Sequence, residues 1–264
     1  MKLETNIGKS YTDKILVHGQ DLVDDLIGEA SLVDMAFMGA MKRMPDENER
    51  KMLEAMMVTI CEHGFTPSSM STRFTYLGAP DSIQSAIAAG LLGAGTVYLG
   101  ASEQVAELLA KAFDKYGDDQ NVESIAKLVL DQVEESNTIL PGFGHPIHRP
   151  ADPRTKKLFD LAEELGISGK NITLLQEISK EFNRRKGKEI TLNAVGAMGA
   201  IYADMGFDHR IVRAFAVAAR AIGLIAHIRE EIDTGRKNSV GQKLFDFAEE
   251  NTDYLPERNS GVIK

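Results

Sequence analysis

The amino-acid sequence predicts an all-α fold, and three observations lead to that prediction. Apolar residues recur at helical three-and-four spacing along most of the chain, and the alternating runs typical of strands do not stand out. The composition, with 43% hydrophobic and 26% charged residues, is that of an ordinary globular protein. A length of 264 residues suits one large domain, or a main domain with a smaller lobe. The pattern divides into about ten helices.

The helices of the first half are recognised by their start and stop signals. Gly28 and Ser31 interrupt the first apolar pattern and divide it into one or two short helices. The next helix has Pro45 in its first turn, acidic residues early and Gly64 at its end. In order, these predicted helices lie at residues 20–44, 45–64, 79–100, 101–117 and 121–137.

The second half continues the helical pattern after an irregular loop. Its first helix has an Asp152 cap followed by Pro153. The longest, at residues 208–235, is followed by a short helix and a polar tail. The predicted helices before that tail lie at residues 152–166, 171–187, 191–206 and 208–235.

Charge and composition exclude several classes of function. The net charge of -9 argues against nucleic acid as the main partner, because phosphate binding draws on an excess of Lys and Arg. The single cysteine, Cys61, cannot form an internal disulfide and fits a reducing cytoplasm, which is the expected location. The N-terminus lacks the apolar core of a signal peptide. No window is expected to reach the ~18 apolar residues that span a bilayer, so no membrane association is predicted.

The stretch "ILPGFGHPIHRPADPRTKKL", residues 139–158, has the most unusual chemistry of the chain. It places a Gly-X-Gly turn, two histidines, four prolines and two arginines between two predicted helices. Loops tolerate sequence change, so a loop with this many functional groups indicates a site and not a connector.

Three familiar chemistries fit the histidines poorly. The chain has no His-X-X-X-His pair or cysteine cluster, so no metal site is predicted. It also lacks a Gly-X-Ser-X-Gly nucleophile turn, and "GFG" lacks the parallel-strand context of a dinucleotide fingerprint. His63 and His145 differ from the other four histidines because each ends a helix-like run beside glycine, where backbone can approach a ligand closely. His227, in the middle of a helix, is expected to be a core histidine with satisfied hydrogen bonds.

The arginines favour an anionic ligand. Arg149 and Arg154 lie in the loop, and Arg220 lies within the otherwise apolar "FAVAARAIGLIAH". A guanidinium on an apolar helical face is costly unless it is paired. Its partner is either an acidic side chain of this chain or a bound carboxylate held in fork geometry. The combination indicates a polycarboxylate substrate, with a phosphate-bearing carrier as a further expectation.

These segments resemble the citrate synthase superfamily. "LPGFGHPIHRPADPRTKKL" is similar to that family's active-site loop, a Gly-X-Gly-His turn followed by Asp-Pro-Arg. "EHGFTPSSMSTR", "AIAAGLLGAG", "LNAVGAMGAIYADMG" and "AARAIGLIAHIREE" match further family segments in the same order. The resemblance covers residues 12 to 236, and the chain is much shorter than a full citrate synthase at its N-terminus. Its length is more similar to that of citryl-CoA lyase, the module that also forms the C-terminal end of ATP-citrate lyase.

The resemblance implies a fold and a set of partners. The fold would be a single citrate-synthase-like unit over residues 1–264, a large helical domain with a smaller helical lobe at approximately 150–210. The partners would be a CoA thioester and a di- or tricarboxylate, with coenzyme A entering as part of the substrate and no permanently bound cofactor. Family members are homodimers or larger. The small-residue helix from Ala86 to Gly95 is a candidate dimer surface, and internal packing explains it equally well.

The resemblance also implies roles for individual residues. His145 and His63 would contact the acid as catalytic histidines, with His145 taking the hydroxyl proton of the substrate. Arg154 and Arg220 would bind carboxylates. The remaining residues carried over are Tyr98 as a catalytic residue, Asn193 as a substrate-binding residue, and Pro141, Gly142, Phe143, Gly144 and Arg149 as CoA-binding residues.

Two departures from the family pattern leave alternatives open. The family's catalytic aspartate in Asn-Val-Asp-Gly is replaced here by Val195, and a family histidine in a nearby turn is replaced by Tyr98. Enolate chemistry at an acetyl-CoA methyl needs an acid or base that valine does not supply; Tyr98, Glu62 or water would then protonate the enolate. Three interpretations follow: cleavage of a 3-hydroxy-acyl-CoA such as citryl-CoA, reaction with a different CoA thioester, or CoA and citrate binding without catalysis.

Overall fold

The computed structural model of the chain describes residues 2–117, 120–145 and 147–254. Over these residues the protein is predominantly helical, as predicted. The helices are α1 (Leu32–Met41), α2 (Glu47–Cys61), α3 (Pro67–Gly78), α4 (Ile83–Leu92), α5 (Thr96–Leu99), α6 (Ala101–Tyr116), α7 (Val122–Glu135), α8 (Pro153–Glu164), α9 (Lys170–Lys186), α10 (Ala194–Asp204), α11 (His209–Thr234) and α12 (Val240–Glu250). A π-helical turn at Leu22–Leu26 and a 3₁₀ turn at Arg236–Asn238 complete the helical structure.

A small antiparallel sheet at the N-terminus was not predicted. Its strands β1 (Gly8–Ser10), β2 (Ile15–Val17) and β3 (Gln20–Asp21) pair in sequence order. The register places Lys9 opposite Leu16. Strands of two or three residues are too short to show a two-residue alternation, so the sequence pattern carried no signal for them.

Polar caps set the starts of several helices, one of which, α3, was not predicted from the sequence. Ser31 and Thr66 form capping boxes at the N-termini of α1 and α3. Asp152 caps α8 and is followed by Pro153 in the first turn, as predicted. The start of α9 is capped from a distance, because the Asp204 carboxylate accepts hydrogen bonds from the backbone N–H groups of Gly169, Asn171 and Ile172.

The chain divides into two compact units. Unit 1 comprises the described residues of Met1–Cys61 and Gly95–Ala219, and unit 2 those of Glu62–Ala94 and Arg220–Lys264. In this division the segment at 150–210 falls inside unit 1, where α8 and α9 pack against α10. A separate lobe with those bounds stays a prediction.

Unit 1 is organised around the buried helix α10. Its small residues allow close approach of α6, since a Cβ on Gly199 would lie 2.6 Å from the carbonyl oxygen of Ser102. At the C-terminal end of α10, Tyr202 forms an aromatic cluster with Phe207 and Phe215, with ring centroids 5.1–5.6 Å apart. The turn of residues 142–144 docks at the opposite, N-terminal end of α10.

Unit 2 is built on α3, with α4 and α12 packed against it. Gly90 of α4 lies so close to α3 that a Cβ there would be 2.0 Å from Oγ1 of Thr72. Ala86 is fully buried. Of the two explanations for the small-residue helix, internal packing therefore accounts for these two residues.

Helix α11 corrects one expectation from the sequence. It is 26 residues long. By length and composition alone, it is the one helix among the described residues that could cross a bilayer. The statement that no window approaches this limit was therefore wrong. Half of its apolar window is buried inside the protein, and its buried residues include Arg220, His227 and Glu231, which is typical of a core helix.

Candidate functional site

The Gly-X-Gly turn of unit 1 is attached by its backbone to the segment before α10. The N–H of Gly144 donates to the carbonyl of Thr191 over 2.7 Å, and the N–H of Asn193 donates to the carbonyl of Gly142 over 2.9 Å. Phe143 forms a β-bridge with Leu192 between these two bonds. The turn is therefore held as a short strand pair and does not behave as a free loop.

Both glycines of the turn are required by its geometry. Gly142 has φ +82°, and a Cβ there would lie 2.8 Å from the Cα of Gly196. Gly144 has φ +86° and is exposed. A side chain at either position would be strained, and at Gly142 it would also push the turn away from α10.

The five residues predicted to contact CoA differ in their exposure to solvent. Pro141 and Phe143 are half-buried, with the Phe143 ring edge-on to Phe182 at 5.4 Å, and Gly142 is buried. Gly144 and Arg149 are exposed. Their role as CoA contacts stays a prediction.

His145 is held by the backbone that follows it. Its Nδ1 accepts hydrogen bonds from the N–H groups of Ile147, at 3.1 Å, and His148, at 2.9 Å. The two backbone bonds to Nδ1 are shorter than the 3.4 Å contact between Nε2 and Arg154, so we place the proton of a neutral His145 on Nε2. The His148 ring lies alongside, with ring centroids 4.3 Å apart.

Arg154 is paired within unit 1 by a buried carboxylate. Its Nε and Nη2 donate to the two oxygens of Asp152 at 3.0 and 2.8 Å, and Nη2 also lies 3.4 Å from Nε2 of His145. Asp152 further accepts from the N–H of Ala194 at the start of α10. Burial raises the pKa of Asp152, but these hydrogen bonds and the Arg154 charge outweigh it and lower the pKa to about 2. The guanidinium is thus oriented beside His145, with its side chain 23% exposed.

Asn193, predicted to bind substrate, has a structural role in this geometry. Its Oδ1 accepts from the N–H of Gly196 and caps α10, while its Nδ2 donates to the carbonyl of Gly144 over 3.0 Å. One side chain therefore ties the helix start to the turn that precedes His145.

The two positions that depart from the family pattern lie in the same unit. Val195 is half-buried in the first turn of α10. Tyr98 lies in the short helix α5 and is 57% exposed. Neither position supplies a buried carboxylate.

Unit 2 carries the other two predicted residues, His63 and Arg220. His63 lies in the turn between α2 and α3, where Oε1 of Glu62 accepts from the N–H groups of His63, at 2.9 Å, and Gly64, at 2.5 Å. Arg220 is 4% exposed, and its Nη1 lies 3.8 Å from Oε2 of Glu62. Glu62 is therefore one acidic neighbour of Arg220 within unit 2.

A buried ionic network surrounds this turn. Arg73, 2% exposed, donates from Nη1 to Glu231 over 2.5 Å and from Nη2 to Glu230. His227 is buried, as predicted, and its Nε2 lies 2.9 Å from Oε2 of Glu62. Burial lowers the pKa of His227. The Glu62 charge partly offsets this shift, and the Arg73 charge lowers the pKa further.

Sequence reasoning missed Arg73 and Glu231 altogether. The one available signal was the cluster "HIREE" at the end of an otherwise apolar helix, which places a histidine and a glutamate one turn apart on a buried face. Arg73, in "STRFTY", has no comparable signal, because its partners lie more than 150 residues away in the sequence.

The predicted residues are thus divided between the units. His145, Arg154, Asn193 and Tyr98 belong to unit 1, and His63 and Arg220 belong to unit 2. That the two groups bind one acid together stays a prediction.

Comparison with known proteins defines the class. The family model for "Citrate synthase, C-terminal domain" matches residues 14–241, so the chain belongs to the citrate synthase family. The structure of citryl-CoA lyase from Hydrogenobacter thermophilus is similar over 98% of this chain and 99% of that one, with 30% identity and a TM-score of 0.83.

Two further relatives show how widely the fold is shared. The structure of ATP citrate lyase from Methanothrix soehngenii, in complex with citrate and coenzyme A, covers this whole chain and has the same fold (TM-score 0.77, 19% identity), but the match takes up 43% of that protein. The citrate synthase of Acidithiobacillus ferridurans is 26% identical over 74% of this chain and 50% of its own length. The chain spans about half the length of the curated relatives it matches.

Proposed function

We propose that this protein is a carbon–carbon lyase that cleaves a 3-hydroxy-acyl-CoA thioester, with citryl-CoA as the substrate and acetyl-CoA and oxaloacetate as products. One observation carries the proposal. The match to citryl-CoA lyase from Hydrogenobacter thermophilus extends nearly from end to end in both chains at 30% identity, whereas the match to a citrate synthase covers 50% of that relative.

The reaction needs no reagent beyond the substrate. The tertiary hydroxyl of citryl-CoA loses a proton and becomes the carbonyl of oxaloacetate as the adjacent C–C bond breaks. The electrons of that bond form the enolate of acetyl-CoA, which gains a proton at carbon. The protein must stabilise the oxygen that carries charge and hold the carboxylates in line.

His145 is assigned a donor role in this reaction. Its Nδ1 accepts two backbone N–H groups, so the proton of the neutral ring is placed on Nε2, and we assign that proton to a substrate oxygen. The expectation that His145 takes the hydroxyl proton requires the opposite tautomer, and we replace it with hydrogen-bond donation to the hydroxyl and the developing carbonyl oxygen. Arg154, oriented by Asp152, is assigned to a substrate carboxylate beside it.

Protonation of the enolate is assigned to Tyr98 or to water. Val195 cannot provide a proton. Glu62, the third candidate, has both carboxylate oxygens beside donors: backbone N–H groups on Oε1, and His227 and Arg220 on Oε2. That arrangement suits an acceptor, so we withdraw Glu62 as the acid.

The replacement of the family aspartate by Val195 supports a second candidate, a lyase or synthase for another CoA thioester. The assay that separates the candidates offers purified protein citryl-CoA and then other 3-hydroxy-acyl-CoA thioesters, and follows acetyl-CoA release. Acetyl-CoA and oxaloacetate from citryl-CoA support the first proposal. Turnover of another thioester alone supports the second, and CoA binding by calorimetry without any turnover supports a non-catalytic relative.

The proposal includes the setting of the reaction. Coenzyme A enters as part of the substrate, with no permanently bound cofactor or metal. The protein would work in the cytoplasm as a homodimer or larger homo-oligomer, which size-exclusion chromatography with light scattering would measure.

A further inference from the structure

In the buried network of unit 2, the contacts of Arg73 determine which ring nitrogen of His227 carries the proton. Arg73 carries only N–H donors, and two of them face Nδ1 of His227, Nη2 at 2.7 Å and Nε at 3.1 Å. Nδ1 must therefore be an acceptor, which fixes the proton of the neutral imidazole on Nε2. Nε2 lies 2.9 Å from Oε2 of Glu62.

Glu62 connects His227 to the backbone turn that contains His63. While Oε2 faces His227, Oε1 accepts from the N–H groups of His63 and Gly64. A glutamate side chain that is 43% exposed would otherwise be free to adopt several rotamers. The contact with His227 selects the one that holds the turn, and the same carboxylate lies beside Arg220.

Arg73 itself cannot move without a large cost. Its side chain is 2% exposed, and the Glu231 carboxylate that pairs with it is 1% exposed. Glu231 also accepts from the N–H of Gly241 in α12. The network is thus anchored at its buried end and terminates at His63.

We propose that Arg73, His227 and Glu62 form a positioning relay that fixes the backbone of His63 and the guanidinium of Arg220 for substrate binding. These three are positioning residues: Arg73 sets the tautomer of His227, His227 orients Glu62, and Glu62 holds the turn. The proposal rests on the proposed function for its effect on turnover, but its structural content is independent of the substrate.

The test compares His227→Leu, which removes both ring nitrogens, with His227→Gln, whose amide supplies an acceptor and a donor in their place. Asp233→Asn is the matched control, because Asp233 lies in an exposed pair with Arg229 on the same helix. Amide hydrogen exchange at His63 and Gly64 is the first measurement. We expect His227→Leu to speed exchange at both amides by about tenfold or more, and we expect wild-type rates in His227→Gln and the control.

Turnover of citryl-CoA is the second measurement. Misplacement of a binding group by about 1 Å costs about 10²-fold, so kcat/KM should fall by about that factor in His227→Leu and recover to within about tenfold of wild type in His227→Gln. Because His227 acts through Glu62, the double variant with Glu62→Ala should be no slower than the slower single variant. Equal thermal midpoints exclude general unfolding as the cause.

The two measurements separate the relay from the reaction. Unchanged exchange at His63 and Gly64 in His227→Leu would overturn the relay, whatever the turnover. The same loss in Asp233→Asn would also overturn it, since it would show that any change in α11 has this effect. Wild-type protein that leaves citryl-CoA intact would overturn the proposed function, and the exchange rates would still decide the relay.

Discussion

Two regions of this protein fix a histidine in the same tautomer by different means. In unit 1, backbone N–H groups donate to Nδ1 of His145. In unit 2, the side chain of a buried arginine, Arg73, donates to Nδ1 of His227. Each ring is left with its proton on Nε2, but the first depends on the path of the main chain and the second on a buried charge.

The two regions are therefore expected to lose the orientation of their histidine through different substitutions. A histidine held by backbone N–H groups loses its orientation when the loop changes its path, so the glycines and caps around it decide that orientation. A histidine held by a buried ionic network is lost when one charged partner is removed, because the partner left behind is buried without compensation. Substitutions chosen in each region can separate these two behaviours.

The largest effect is expected from Arg73→Met. It leaves Glu231 buried without its counter-charge, which costs about 3–5 kcal/mol of unfolding free energy. The matched change in unit 1, Arg154→Met, should cost only about 1.5–3 kcal/mol, because Asp152 keeps two backbone donors. Urea unfolding of both variants measures the difference, and an equal or reversed order would remove the contrast between the regions.

Acid should weaken the loop region through Asp152. Its pKa is lowered from 3.8 to about 2 in the folded protein, so its contribution is present above the ordinary value and is lost as the pH falls toward 2. We expect wild type to exceed Asp152→Asn by about 2 kcal/mol at pH 6, with the gap closing between pH 4 and pH 2. A gap independent of pH in urea unfolding would show that the carboxylate charge does not stabilise this loop.

Asn193 offers a smaller and more selective test. Asn193→Ala removes the cap of α10 and the bond to Gly144, and should cost about 1–2 kcal/mol. Asn193→Asp keeps the capping oxygen and replaces the donor to Gly144 with an anionic oxygen. We expect it to unfold near the wild-type midpoint and to turn over citryl-CoA more slowly. If both variants lose turnover only in proportion to stability, the tie to the His145 turn has no functional role.

The smallest expected effect is the pH dependence that His227 contributes. Burial lowers its pKa in the folded protein, so the unfolded chain binds a proton at a higher pH than the folded chain does. Wild-type stability should therefore fall, relative to His227→Gln, as the pH drops below about 6.5, the ordinary histidine value. Thermal unfolding from pH 8 to pH 5 follows this, and parallel curves for the two proteins would contradict it.

Much of the fold was predictable because its signals are local. Periodicity and caps located helices such as α8, whose Asp152–Pro153 start was read correctly, and the family motifs located the His145 turn. Strands of two or three residues and the pairing of Arg73 with Glu231 were missed, since neither leaves a periodic pattern. The tautomer of His145 also could not be predicted, because it depends on the direction of two backbone N–H groups.

In the proposed reaction, His145 donates a hydrogen bond from Nε2 to the substrate oxygen during C–C cleavage. The most direct measurement is the rate of acetyl-CoA release from citryl-CoA by wild type and His145→Ala, with CoA affinity determined on the same preparations. Loss of one such donor costs about 10²–10³-fold in kcat, so we predict at least that loss with CoA affinity nearly unchanged. A variant that cleaves citryl-CoA at the wild-type rate would contradict the claim.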